Sequence, residues 1–141
     1  MQKTIRTRQV VTVAALGVAL SLTCSAQSMA TTISETPGNY SRDTVVTGPN
    51  GRTATSNTTA SWAPGSTSRE TTVTGFNGKT ATYQDNRSWG NGAYTNAKSY
   101  TGVNGRTATD TVTRSGGVVS NTFTGPNGNS RTYTHLARRR R

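Results

Sequence analysis

Beyond residue 30 the large apolar side chains alternate with polar ones at a period of two, and no stretch has the three-to-four-residue recurrence of a helix. The alternation breaks at regular intervals. Four of the breaks share one motif: Thr47-Gly48-Pro49-Asn50-Gly51-Arg52-Thr53, Thr74-Gly75-Phe76-Asn77-Gly78-Lys79-Thr80, Thr101-Gly102-Val103-Asn104-Gly105-Arg106-Thr107, and Thr124-Gly125-Pro126-Asn127-Gly128 with an irregular Asn129-Ser130 after it. Their starts lie 27, 27 and 23 residues apart, and self-similarity on that scale is the mark of a repeat architecture.

Each motif reads as a three-residue hairpin loop. A type I turn followed by glycine in the left-handed region fits X-Asn-Gly, which assigns the turn glycines Gly51, Gly78, Gly105 and Gly128. Between the motifs lie Pro64-Gly65, Asn91-Gly92 and Gly116-Gly117. The last two suit two-residue hairpin loops, whereas proline cannot take positive φ, so a wider loop is expected at Pro64. The segments between turns have strand length. The expected fold is all-β: an antiparallel meander of about eight strands, from near Tyr40 to near Thr134, forming a twisted single sheet or a small barrel-like curl.

These turns fix a register, and the register sorts the side chains onto two faces. The loop at 49–51 pairs Val46 with Ala54. The loop at 91–92 pairs Trp89 with Tyr94, Tyr83 with Tyr100 and Asp85 with Lys98, all favourable cross-strand neighbours. One face then carries Tyr40, Val46, Trp62, Val73, Tyr83, Trp89, Tyr94, Tyr100, Val112, Val119, Phe123 and Tyr133. The same face takes Arg42, Arg52, Arg69, Lys79, Arg87, Lys98, Arg106, Arg114 and Arg131, together with Asp85 and Asp110. The other face is mostly Thr, Ser and Asn, with Asp43 and Glu70 and only Val45 and Val118 as large apolar exceptions.

The N-terminal segment follows different rules. Lys3, Arg6 and Arg8 precede an apolar run from Val10 to Leu22, and Ser28-Met29-Ala30 follows it. That order is a secretory signal peptide, expected to be helical over residues 1–30, with cleavage after Ala30 or alternatively after Ala26. The apolar run falls short of the ~20 residues a membrane-spanning helix needs. Cys24 is preceded by Ser21-Leu22-Thr23, which departs from a lipobox and argues against a lipid anchor. The expected organisation is a leader at 1–30, a flexible segment at 31–39, a repeat domain at 40–134 and a basic tail at 135–141. Export to the periplasm or the cell exterior follows, with no transmembrane segment after cleavage.

Removing the leader changes what the composition means. The chain as a whole carries a net charge of +11. Residues 31–141 hold 13 Lys and Arg against 5 Asp and Glu, and four of those cations are Arg138, Arg139, Arg140 and Arg141. Val, Ile, Leu and Phe total only 11 of these 111 residues, whereas Thr alone contributes 25. So little apolar surface suggests disorder; β-branched Thr in an alternating pattern restores the case for sheet.

The same residues narrow the chemistry. No Cys remains after residue 30, His135 is the only histidine and has no motif partner, and five scattered acids form neither a metal site nor a calcium loop. No enzyme, cofactor or small-molecule substrate is expected. Interleaved rings and cations suit an anionic polymer, and the candidate binding face comprises Arg42, Trp62, Arg69, Tyr83, Arg87, Trp89, Tyr94, Lys98, Tyr100 and Arg114. The plainer role of those rings is to fold the sheet, buried in a curl or against a second copy.

The Thr-Gly-Pro-Asn-Gly-Arg/Lys-Thr repeats behind a signal peptide resemble a loose group of exported proteobacterial proteins whose activity is uncharacterised. The resemblance covers roughly residues 40–134. It implies export and a repeated β fold, and it brings no functional residues. The Thr-x-Thr pattern separately resembles the flat arrays of ice-binding proteins. The leading expectation is a non-enzymatic exported β-repeat protein with a structural or cell-surface role, contacting itself, anionic glycans or lipid head groups. The alternatives are a polyanion-binding module, nucleic acid included, that uses the Arg tail and the basic-aromatic face, and an amyloid-like matrix component.

Overall fold

The computed structural model describes residues 8–11 and 28–137. They form ten strands: β1 (Arg8–Val11), β2 (Ser28–Thr36), β3 (Asn39–Thr47), β4 (Thr53–Ala63), β5 (Ser66–Thr74), β6 (Thr80–Gly90), β7 (Ala93–Thr101), β8 (Thr107–Ser115), β9 (Val118–Thr124) and β10 (Ser130–Leu136). All ten join one sheet in sequence order, and every neighbouring pair is antiparallel. No helix occurs among the described residues. β10 pairs only with β9 and β1 only with β2, so the sheet stays open. The fold is the expected meander, as an open sheet and without the barrel-like curl.

The motif loops close as their residues dictate. In each, the first glycine donates its N–H across the hairpin, Gly48 to the Arg52 carbonyl at 2.8 Å and Gly75 to that of Lys79 at 2.9 Å. The second glycine completes a β-turn: Gly51 N–H donates to the Gly48 carbonyl at 3.0 Å, with φ at 70°. The Asn77 and Asn104 side chains accept from the backbone N–H groups of Lys79 and Arg106 at 3.0 and 3.1 Å, locking the loop from inside. At the opposite margin, Asn91 (φ 49°) with Gly92 (φ 74°), and Gly116 (57°) with Gly117 (77°), are left-handed at both central positions, as a type I′ turn requires.

Two expectations are corrected here. Pro64-Gly65 is a two-residue loop, since Ala63 pairs directly with Ser66. Proline keeps negative φ at the first central position and Gly65, at 83°, carries the left-handed one, the division of labour of a type II turn. The segment 31–39, expected to be flexible, is instead strand β2 and a second Pro-Gly turn, Pro37-Gly38 (φ 80°), through which Thr36 pairs with Asn39. This turn precedes Pro64-Gly65 by 27 residues, the spacing of the motif loops.

The expected helical leader meets the described residues only at Arg8–Val11, which are extended and paired with β2, and at Ser28–Ala30, the start of β2. Ala30 sits opposite Val45. The alternative cleavage residue Ala26, Cys24 and the tail Arg138–Arg141 lie outside the described residues.

The sheet is one layer thick, and its packing shows it. Among the described residues Val119 alone among hydrophobics is buried, at 8% exposure, and no polar residue is. Trp62, Trp89, Tyr100, Phe123 and Tyr133 all remain exposed. Stability therefore rests on the backbone ladder and on side chains covering one another across strands, with Thr hydroxyls tied in pairs such as Thr58–Thr71 at 3.1 Å and Thr122–Thr132 at 2.9 Å.

The turns supply a test of this ladder. A Cβ on Gly105 (φ 75°) would meet nothing within 4 Å, whereas one on Gly65 would lie 3.0 Å from the Trp89 carbonyl oxygen on the next strand. Gly105→Ala should cost only the left-handed strain, about 1–2 kcal/mol, and Gly65→Ala should cost more. Urea midpoints of the two variants, with unchanged slopes, check this ranking; an equal or reversed order contradicts it.

Candidate functional surface

Because paired residues of antiparallel strands share a face, the register composes the surface row by row. One row crosses eight strands as Tyr40, Ala60, Arg69, Asp85, Lys98, Asp110, Phe123 and Arg131. Its middle alternates in charge, with Asp85 between Arg69 and Lys98, and Lys98 between Asp85 and Asp110. A second row holds Ile33, Arg42, Thr58, Thr71, Tyr83, Tyr100 and Ala108. A third holds Trp62, Thr67, Arg87, Asn96, Val112, Asn121 and Tyr133, and a fourth Trp89, Tyr94, Arg114, Val119 and His135.

All ten residues of the predicted binding face thus share one side of the sheet. They form a platform, not a pocket: Arg42 on β3 and Arg114 on β8 stand five strands apart. The strand pairing also adds residues that the pattern reading left out. With β2 in the sheet, Met29, Ile33 and Glu35 join this face opposite Val46, Arg42 and Tyr40. The Pro37-Gly38 turn was the sequence signal that would have placed them.

The local chemistry distinguishes engaged cations from available ones. Arg87 grips Asp85 with two hydrogen bonds, Nε to Oδ1 at 3.1 Å and Nη2 to Oδ2 at 2.7 Å. It is the one salt bridge among the described residues, with Asp85 only 11% exposed and Arg87 47% exposed. The hydrogen bonds from Arg87 hold the Asp85 carboxyl below its ordinary pKa; partial burial opposes this, and the charges of Arg87, Lys98 and Arg69 reinforce it. Arg114 lies over the Tyr94 ring, 5.8 Å from its centroid. Arg42 faces Ile33 and Thr58 across strands, and Arg131 faces Phe123.

The opposite face is hydroxyl and amide. Asp43 accepts from Asn57, and Glu70 accepts from Gln84 at 2.6 Å, whose own oxygen accepts from Ser99 at 3.2 Å. Thr72, Thr82, Thr101 and Thr107 form an unbroken row there. Across β2 to β10 the aromatic face carries six cations and three acids, and the hydroxyl face carries two acids and no cation. The sheet is therefore electrostatically two-sided.

Among the described residues no three His, Cys, Asp or Glu side chains gather as a metal site would need, and no helix is long and apolar enough to cross a membrane. No protein-family model, curated protein or solved structure matches this chain.

The Asp85–Arg87 pair sets a pH dependence. Asp85 has a lower pKa folded than unfolded, so its contribution to stability is present above the unfolded carboxylate value, about 4, and is lost as pH falls through the folded value. Asp85→Asn should remove part of the acid sensitivity between pH 5 and pH 2, roughly the carboxylate range, while leaving the neutral-pH fold intact. Thermal melts of both proteins across that range check it; parallel pH profiles contradict it.

Proposed function

We propose that the protein is a non-catalytic, exported surface protein whose basic-aromatic face binds anionic polymers of the cell envelope. The observation that supports this reading most is the coincidence of three properties on one side of an open sheet: every strand cation of β2 to β10, every strand aromatic ring, and no covering layer among the described residues. An uncovered surface of that extent is a place where partners bind. Cations spaced among rings attract acidic groups and stack planar or apolar ones. The hydroxyl face, which carries only acids, repels the same partners and gives the sheet a direction. The expected leader and export direct this surface toward glycans and lipid head groups, ahead of nucleic acid.

The reading is tested by reversing charge on one face at a time. Arg42→Glu with Arg114→Glu should weaken binding to polygalacturonate, or to phosphatidylglycerol vesicles, at least tenfold at low salt. Thr111→Glu with Thr122→Glu, on the opposite face, should leave binding within about twofold. Equal losses from the two faces, or no binding by the unmodified chain at low salt, contradict the reading.

A further inference from the structure

The two margins of the sheet at which the hairpins turn are chemically different. The margin bearing Pro37-Gly38, Pro64-Gly65, Asn91-Gly92 and Gly116-Gly117 has no charged residue within its turns or the residues flanking them. The motif margin has Arg52, Lys79 and Arg106 at one equivalent position in three successive loops, and no acid anywhere in the four loops. The fourth loop has Asn129 at that place.

The register gives these cations a common setting. Val46 pairs with Ala54, and the β4–β5 register, with Thr55 opposite Thr74, brings Gly75 level with Ala54. Gly75 in turn bonds across its loop to Lys79. The row thus reads Val46, Ala54, Gly75, Lys79. One repeat later it reads Val73, Ala81, Gly102, Arg106. Each row is an apolar pair, a bare glycine opposite the cation, and the cation. At Gly75 and Gly102 the loop asparagine Oδ1 packs 3.2 Å from where a Cβ would sit, and between the third and fourth loops a groove of 370 Å³ is lined by Tyr100, Val103, Arg106, Ala108 and Pro126. Tyr100 is 55% exposed and Val73 46%. Arg106 is steadied by donation from Nη1 to the Asn127 side chain at 3.0 Å, which leaves its other donors available.

Each loop is set back two residues along the strands from the one before. Two strand spacings across and two residues along put successive cations about 12 Å apart. Nucleic acid presents a charge every ~3.4 Å along a strand, so cations at this spacing would meet only a fraction of its phosphates. A linear glycan acidic at every second sugar has the matching alternation, because its acidic residues are separated by neutral rings whose C–H faces favour apolar surfaces.

We propose that the motif margin is a binding track for a linear glycan with one carboxylate per disaccharide. One disaccharide is seated per two-strand repeat, with the acid on Arg52, Lys79 or Arg106 and the neutral sugar on the adjoining Val-Ala or Tyr-Ala pair. This rests on the anionic-polymer reading above and gives it a site, a direction across the strands and a substrate class.

Hyaluronan oligosaccharides are the probe, titrated against the full chain by calorimetry. Affinity should climb from disaccharide to hexasaccharide and level off beyond it, and should exceed that for polygalacturonate of equal charge. Arg52→Gln/Lys79→Gln/Arg106→Gln should lose at least tenfold, and its remaining affinity should vary less with salt than the parent's. The charge-keeping Arg52→Lys/Lys79→Arg/Arg106→Lys should retain binding, and far-UV circular dichroism of both variants should match the parent. If the Gln variant binds as the parent does while Arg42→Glu/Arg114→Glu does not, the track is wrong and the broader face reading survives. A preference for polygalacturonate or single-stranded DNA also overturns the track. If the unmodified chain binds no anionic polymer, both fail.

Discussion

The backbone hydrogen-bond ladder is the interaction on which everything else in this protein depends. In a layered domain, burial of apolar surface holds the elements together and the ladder is one contribution among several. Here a single hydrophobic side chain, that of Val119, is buried among the described residues, so strand pairing must carry the fold, and strand pairing is only as good as its register. The residues that set register are therefore the ones that cannot drift: glycines at φ between 57° and 83°, Asn91 at 49°, and asparagines that close the loops on themselves. Threonine suits such a sheet. It favours extended backbone, covers its cross-strand neighbour and brings a hydroxyl that bonds to the next one, with no need for an interior.

Charge segregation follows from the same constraint. A period-two chain in fixed register assigns each side chain to a face irrevocably, so the sequence can place all strand cations with all strand rings. Lying arginine stems and ring faces against one another is how a face without a covering layer gains some of the contact an interior would provide. Arg114 over Tyr94 is an instance, and Arg87 is held on the same face by its bidentate pair with Asp85. Where acids intervene, as in the Arg69–Asp85–Lys98–Asp110 row, opposite charges alternate across neighbouring strands. Where they do not, at Arg42, Arg114 and along the motif loops, the charges face solvent. Structural and available cations are distinguished by their row neighbours and not by their abundance.

Much of this was legible in the residues because the turns were. Asn91-Gly92 fixes the β6–β7 register, and the pairs it predicts, Trp89 with Tyr94 and Asp85 with Lys98, are the pairs observed. The motif loops did the same for the other hairpins, so the partition of rings, cations and hydroxyls between faces came through intact. The failures are equally local. Pro64-Gly65 fails the type I′ standard of positive φ at both central positions, yet a type II turn needs it only at the glycine and closes in two residues. The same turn chemistry at Pro37-Gly38 is what brings in strand β2 and places Met29, Ile33 and Glu35. Closure was never in the pattern: alternation says which side chains share a face, and an open sheet and a curled one share the same alternation.

The central claim is that the rings stand uncovered on a face whose net charge is positive, and Trp62 and Trp89, both exposed, report on it directly. Collisional quenching of their fluorescence by iodide and by caesium at matched low ionic strength separates the possibilities. A presented basic face predicts efficient quenching by iodide and markedly weaker quenching by caesium, with the difference shrinking as salt rises. Weak quenching by both ions, or stronger quenching by caesium, would mean that the face is covered or that its charges lie elsewhere, and would contradict the account.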